Sequence, residues 1–160
     1  MRNDTVIHIE KLLTPRRVIC ELRAGRKHDV FTALAARLSL EGGPDEETVL
    51  AALRAAPPHL MLRGGLSLIH ILIDELDHPV AFVARLRRPL RLSDTDQCAT
   101  DLIALLASPC TMAGEHLRAL ACLARRLRRA DVLAAMRSTR CPDVMYLALT
   151  SDECRDSQCA

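Results

Sequence analysis

Residues 66–73, Leu-Ser-Leu-Ile-His-Ile-Leu-Ile, form the longest apolar run of the 160-residue chain, set between Gly64-Gly65 and Asp74-Glu75-Leu76-Asp77. A membrane-spanning helix needs about 20 apolar residues, so this run reads instead as one buried strand between two turns. Further strand-like runs are Arg17–Leu22, Val80–Leu86, closed by Arg87, Arg88 and Pro89, and Leu102–Ala107, ended by Ser108-Pro109.

Helical patterns alternate with these runs. Lys27–Leu38 places Val30, Phe31, Leu34, Ala35 and Leu38 on one face. Asp45, Glu46 and Glu47 follow the Gly42-Gly43-Pro44 loop and suit the N-terminus of a helix that runs to Arg54 and stops before Pro57-Pro58. Ala113–Arg128 is the strongest helix, with Leu117, Leu120, Ala121, Ala124 and Leu127 on one side; Ala130–Met136 continues it and Pro142 opens a last short helix. Ser93–Gln97 reads as a polar loop and Asp94, Asp96 and Asp101 as loop and strand-edge carboxylates. The pattern predicts an α/β domain over residues 1–150, a mixed β-sheet flanked by helices on both sides, with residues 151–160 as a polar, flexible tail.

Composition removes several function classes. Hydrophobic residues at 49% supply a core, and a net charge of +2 gives no general attraction for nucleic acid or an anionic membrane. Phe31, Phe82 and Tyr146 are too few to stack bases. The seven cysteines lack C-x-x-C spacing, which argues against zinc and for reduced thiols in a cytoplasmic protein. Met1-Arg2-Asn3-Asp4 has no long apolar stretch behind it, unlike a secretory signal. No ligand spacing joins His59, His70 and His116 into a metal site, and no cofactor motif is present. The arginines at 125, 126, 128 and 129 read as a solvated helix face that suits an acidic partner.

Several short segments, in order and nearly without gaps, resemble the type-2 EIIA family of the phosphotransferase system, which includes fructose/mannitol and nitrogen-regulatory members. Gly65-Leu66-Ser67-Leu68-Ile69-His70 is similar to its G-I-A-I-P-H-G segment, and Leu53-Arg54 to the end of its L-x-R-E. Pro89–Leu92 is similar to P-I-x-F, Asp101–Leu106 to V-x-L-L-F-x-L-L, and Gly114–Leu120 to x-x-H-L-x-x-L-S. The resemblance spans roughly residues 10–150 and implies a phosphoacceptor of the nitrogen-regulatory type. His70 would take a phosphoryl group from an HPr-like phosphocarrier, His116 would hydrogen-bond that group, and Arg54 would supply charge to its oxygens. An unidentified regulatory protein would read the result, no nucleic acid or membrane insertion is involved, and a homodimer stays open.

The frame of the histidine departs from the family. Ile69 stands at the proline, Ile71 at the glycine and Leu72 at the polar or basic position after it. Two bulky β-branched neighbours are expected to crowd a donor's approach to His70 or to bury its ring. On that account two readings stand: a phosphoacceptor, or a phosphorylation-defective member that keeps the fold as a protein-binding module. Read without the family, a histidine in so apolar a run reads first as a core residue of a buried strand.

Overall fold

Alternation of side chains along a strand decides what each part of the central sheet can cover. In the computed structural model, which describes residues 6–62 and 64–151, five strands form one mixed sheet. They are β1 (Val18–Leu22), β2 (Leu60–Leu62), β3 (Leu66–Leu72), β4 (Val80–Leu90) and β5 (Thr100–Ser108), in the order β1-β4-β5-β3-β2. β3 runs parallel to β5, and β1 parallel to β4; β4–β5 and β2–β3 are antiparallel. The helices among the described residues are α1 (Ile9–Leu12), α2 (Lys27–Leu40), α3 (Glu46–Arg54), α4 (Ala113–Leu127), α5 (Ala130–Ser138) and α6 (Pro142–Thr150).

The sheet has an apolar layer on each face. One layer joins Leu66, Leu68, Ala81, Val83, Leu102, Ala104 and Leu106 to buried residues of α1, α4, α5 and α6. The other joins Ile69, Ile71, Phe82, Ala84, Ile103, Leu105 and Ala107 to Val30, Phe31 and Leu34 of α2 and to Val49 and Leu53 of α3. Odd and even positions of β3 and β5 thus go to different layers, as a period of two requires. The α/β class and the two-sided helical cover agree with the sequence reading.

Four local features differ from it. β4 does not end at Arg87; it runs through Pro89 to Leu90, which pairs with Thr100 after a register shift. Arg87, Arg88 and Pro89 are exposed there, so the polar stretch is the solvated end of a strand rather than its terminator. Leu60–Leu62 adds the edge strand β2, and Ile9–Leu12 adds the short α1; three or four residues are too few to show a period. Asp96 is not a solvated loop carboxylate: it is buried, accepts hydrogen bonds from the Leu92 and Ser93 amides, and contacts His59 Nε2 at 2.9 Å. The predicted tail from residue 152 onward lies outside the described residues.

Candidate functional site

β3 and the β5–α4 connection build the site together. Leu66 and Leu68 fix the face of β3 that points toward α4, and His70 follows them on that face with its ring half-buried at the end of the layer. β5 ends at Ser108, Pro109 and a 3-10 turn at Cys110–Met112 redirect the chain, and α4 begins at Ala113. The buried stripe of α4 is His116, Ala119, Leu123 and Leu127, at helical spacing, so the face expected from the sequence is corrected: of its residues only Leu127 is buried, while Leu117 and Ala121 are exposed. His116 therefore enters the first turns of α4 pointing at the sheet, above His70.

The two rings meet. His70 Nδ1 lies 3.1 Å from His116 Nε2, with ring centroids 5.3 Å apart and planes inclined by 44°. The other nitrogen of His116, Nδ1, lies 2.7 Å from Ser108 Oγ. His116 is only 5% exposed and Ser108 is fully buried. Burial, and next the charge of His70, push the His116 pKa below its ordinary value, which favours a neutral ring. Leu72, two residues beyond His70 on the same face of β3, and Leu117, next to His116 in α4, are apolar and 44% and 65% exposed.

The isoleucines do not crowd this face. Ile69 and Ile71 are 2% and 4% exposed and belong to the layer covered by α2 and α3, on the far side of the sheet. Adjacent residues of a strand point to opposite faces, so neighbours in sequence here are not neighbours of the ring. The expected steric obstruction is corrected accordingly.

Arg54, the last residue of α3, is exposed and lines a cavity of about 320 Å3 with Lys27, Phe31, His59, Ile69 and Asp96. Of the three residues singled out in the sequence, His70 and His116 are in direct contact, while Arg54 borders this separate cavity. His59 is committed to Asp96, and among the described residues no group of three His, Cys, Asp or Glu side chains could hold a metal ion. Ser108 escaped the sequence reading, where Ser-Pro served only to mark the end of a strand. Its one visible signal was a polar residue closing an otherwise apolar run.

The chain belongs to a family of phosphotransferase components: residues 11–151 match the family described as phosphoenolpyruvate-dependent sugar phosphotransferase system, EIIA 2. It is 29% identical over 143 residues to a nitrogen regulatory protein of Bradyrhizobium diazoefficiens, covering 88% of this chain and 94% of that protein. Its fold resembles the crystal structure of nitrogen regulatory protein IIA-Ntr from Neisseria meningitidis, with a TM-score of 0.79 at 20% identity over 89% of this chain and 99% of the other. It also resembles the Escherichia coli mannitol enzyme IIA solved in complex with phosphorylated mannitol enzyme IIB, with a TM-score of 0.69 at 17% identity, covering 86% and 96%. Among the described residues, no helix is long and apolar enough to cross a membrane.

Proposed function

We propose that this protein is a cytoplasmic EIIA of the nitrogen-regulatory type that accepts a phosphoryl group on His70 from a phosphohistidine carrier resembling HPr. The observation that carries the reading is the half-exposed His70 ring with its Nδ1 engaged by His116, which leaves Nε2 as the nitrogen available for chemistry. A neutral imidazole nitrogen is a competent nucleophile. The Nε2 lone pair attacks phosphorus, an N–P bond forms, and the P–N bond of the donor breaks with its electron pair returning to the donor ring. His116 lies in the first turns of α4, so the partial positive charge of that helix N-terminus would favour a phosphoryl dianion held near it. No role in this step is assigned to Arg54, which ends α3 and borders the cavity lined by His59 and Asp96.

The added charge, about −2 at neutral pH, would fall near the exposed apolar side chains of Leu72 and Leu117 and change what docks there. The same two side chains support the second reading, a protein-binding module without transfer chemistry. Incubation with a phosphorylated HPr-type donor, followed by intact mass, separates the two. The phosphoacceptor gains one phosphoryl group, and His70→Ala gains none. An unmodified wild-type protein beside an active donor would leave only the binding module.

A further inference from the structure

Ser108 closes β5 as a fully buried hydroxyl, and its Oγ faces His116 Nδ1 at 2.7 Å while His116 Nε2 faces His70 Nδ1 at 3.1 Å. We propose that Ser108 is a positioning residue for phosphoryl transfer: its oxygen accepts the proton of His116 Nδ1 and so holds both rings in the tautomers that leave His70 Nε2 a lone pair. This inference rests on the reading of His70 as the phosphoacceptor.

A neutral imidazole has one N–H and one lone pair. For Nε2 of His70 to attack, the ring must carry its proton on Nδ1, and the atom facing Nδ1 is His116 Nε2. His116 must therefore accept at Nε2 and carry its own proton on Nδ1. That ring is buried, so its N–H cannot turn to bulk water, and Ser108 Oγ is the acceptor in place. With the chain reversed, the serine donates to His116 Nδ1, His116 Nε2 donates to His70 Nδ1, and the His70 proton sits on Nε2, where it blocks attack.

The reaction itself draws the chain into the first arrangement. As the Nε2–P bond forms and the donor's P–N bond breaks toward the donor ring, the His70 ring, still bearing Nδ1–H, gains positive charge. It shares that proton with His116 Nε2. A His116 that takes up positive charge carries hydrogen on both nitrogens and needs an acceptor at Nδ1, which only the serine-accepting arrangement supplies. Removing the hydroxyl leaves a buried N–H without an acceptor in the reactive state. Such a loss corresponds to about a 10- to 100-fold lower rate.

Thr and Val share a shape and differ in the hydroxyl, so Ser108→Thr and Ser108→Val isolate the oxygen from packing. The full-length chain is labelled with 15N-histidine, the ring nitrogens are read by NMR, and transfer from a phosphorylated HPr-type donor is timed. Ser108→Thr is expected to keep the wild-type rate and a protonated His116 Nδ1. Ser108→Val should transfer about 10- to 100-fold more slowly and shift the His116 proton to Nε2. Equal rates and identical ring shifts in two folded variants would overturn the proposal. A wild type and Thr variant that take no label, while the ring shifts still differ between Thr and Val, would instead overturn the phosphoacceptor reading.

Discussion

His70 and Ile71 are consecutive residues whose side chains lie on opposite faces of β3: His70 meets His116 under α4, and Ile71 packs in the layer beneath α2 and α3. Stability and chemistry should therefore separate cleanly at these two positions. Ile71→Ala removes buried methylenes and is expected to cost about 2–4 kcal/mol in urea unfolding. Its labelling rate under native conditions should match the wild type. His70→Ala should do the reverse, keeping most of the stability and losing the label. A folded Ile71→Ala protein labelled several-fold faster would mean that the isoleucine governs access to His70 after all.

The turn before β3 gives a second test. Gly65 has φ +83°, and a Cβ there would lie 2.9 Å from Asp101 Oδ1 and 3.3 Å from the Ala99 carbonyl oxygen. Asp101 cannot easily yield, because Arg137 grips it with Nε and Nη2, each at 2.7 Å, and also donates to the Gly64 carbonyl. Gly42 has a similar φ of +81° with nothing within 4 Å of an added Cβ. Gly42→Ala should carry only the backbone cost of roughly 1–2 kcal/mol. Gly65→Ala should be clearly less stable than Gly42→Ala, since it adds a clash to the same backbone cost. Equal urea midpoints for the two variants would contradict this.

Parts of the molecule that repeat a period were legible in the sequence. The 66–73 run, the spacing of α2 and the long α4 each carry several apolar positions in one pattern, so strand, helices and two-sided cover followed directly. What was lost was spatial. β2 holds only Leu60–Leu62, and the end of β4 looks polar because Arg87, Arg88 and Pro89 face solvent. Ile69 and Ile71 were expected to crowd His70 because they touch it along the chain, whereas the pleat sends them through the sheet. Ser108 and His116 are eight residues apart, and only the turn between β5 and α4 brings them within hydrogen-bonding distance. The histidine pair itself came from a family resemblance, since 46 residues of sequence separate the rings.

Thiol reactivity should sort by burial and by one carboxylate. The described cysteines, at 20, 98, 110, 122 and 141, are all free, while Cys154 and Cys159 lie outside the described residues. Burial pushes the Cys20 and Cys122 thiols up, and a hydrogen bond with the Asp74 side chain pushes up exposed Cys110. The thiolate is the reactive form. Time-resolved alkylation with mass mapping should therefore modify Cys98 and Cys141 ahead of Cys20, Cys122 and Cys110. Early loss of Cys20 would show β1 opening to solvent, because that thiol is only 6% exposed in the folded chain.

Acid should weaken the fold through His116. Its pKa is lowered first by burial and next by the charge of His70, so the folded protein resists a proton that the unfolded chain takes up near the ordinary value of 6.5. Below that value the unfolded state holds more protons, and stability falls as the pH drops from 6.5 toward the lower folded-state pKa. Above 6.5 both states are neutral at this residue and the contribution is flat. One proton gives a limiting slope of about 1.4 kcal/mol per pH unit. His116→Gln keeps polar character in the buried site and does not titrate. Urea denaturation of the wild type and this variant between pH 5 and pH 8 should give curves that run parallel at the alkaline end and diverge on the acid side, with the wild type falling more steeply. Parallel curves throughout would mean that His116 takes up its proton in the folded state as readily as in the unfolded one.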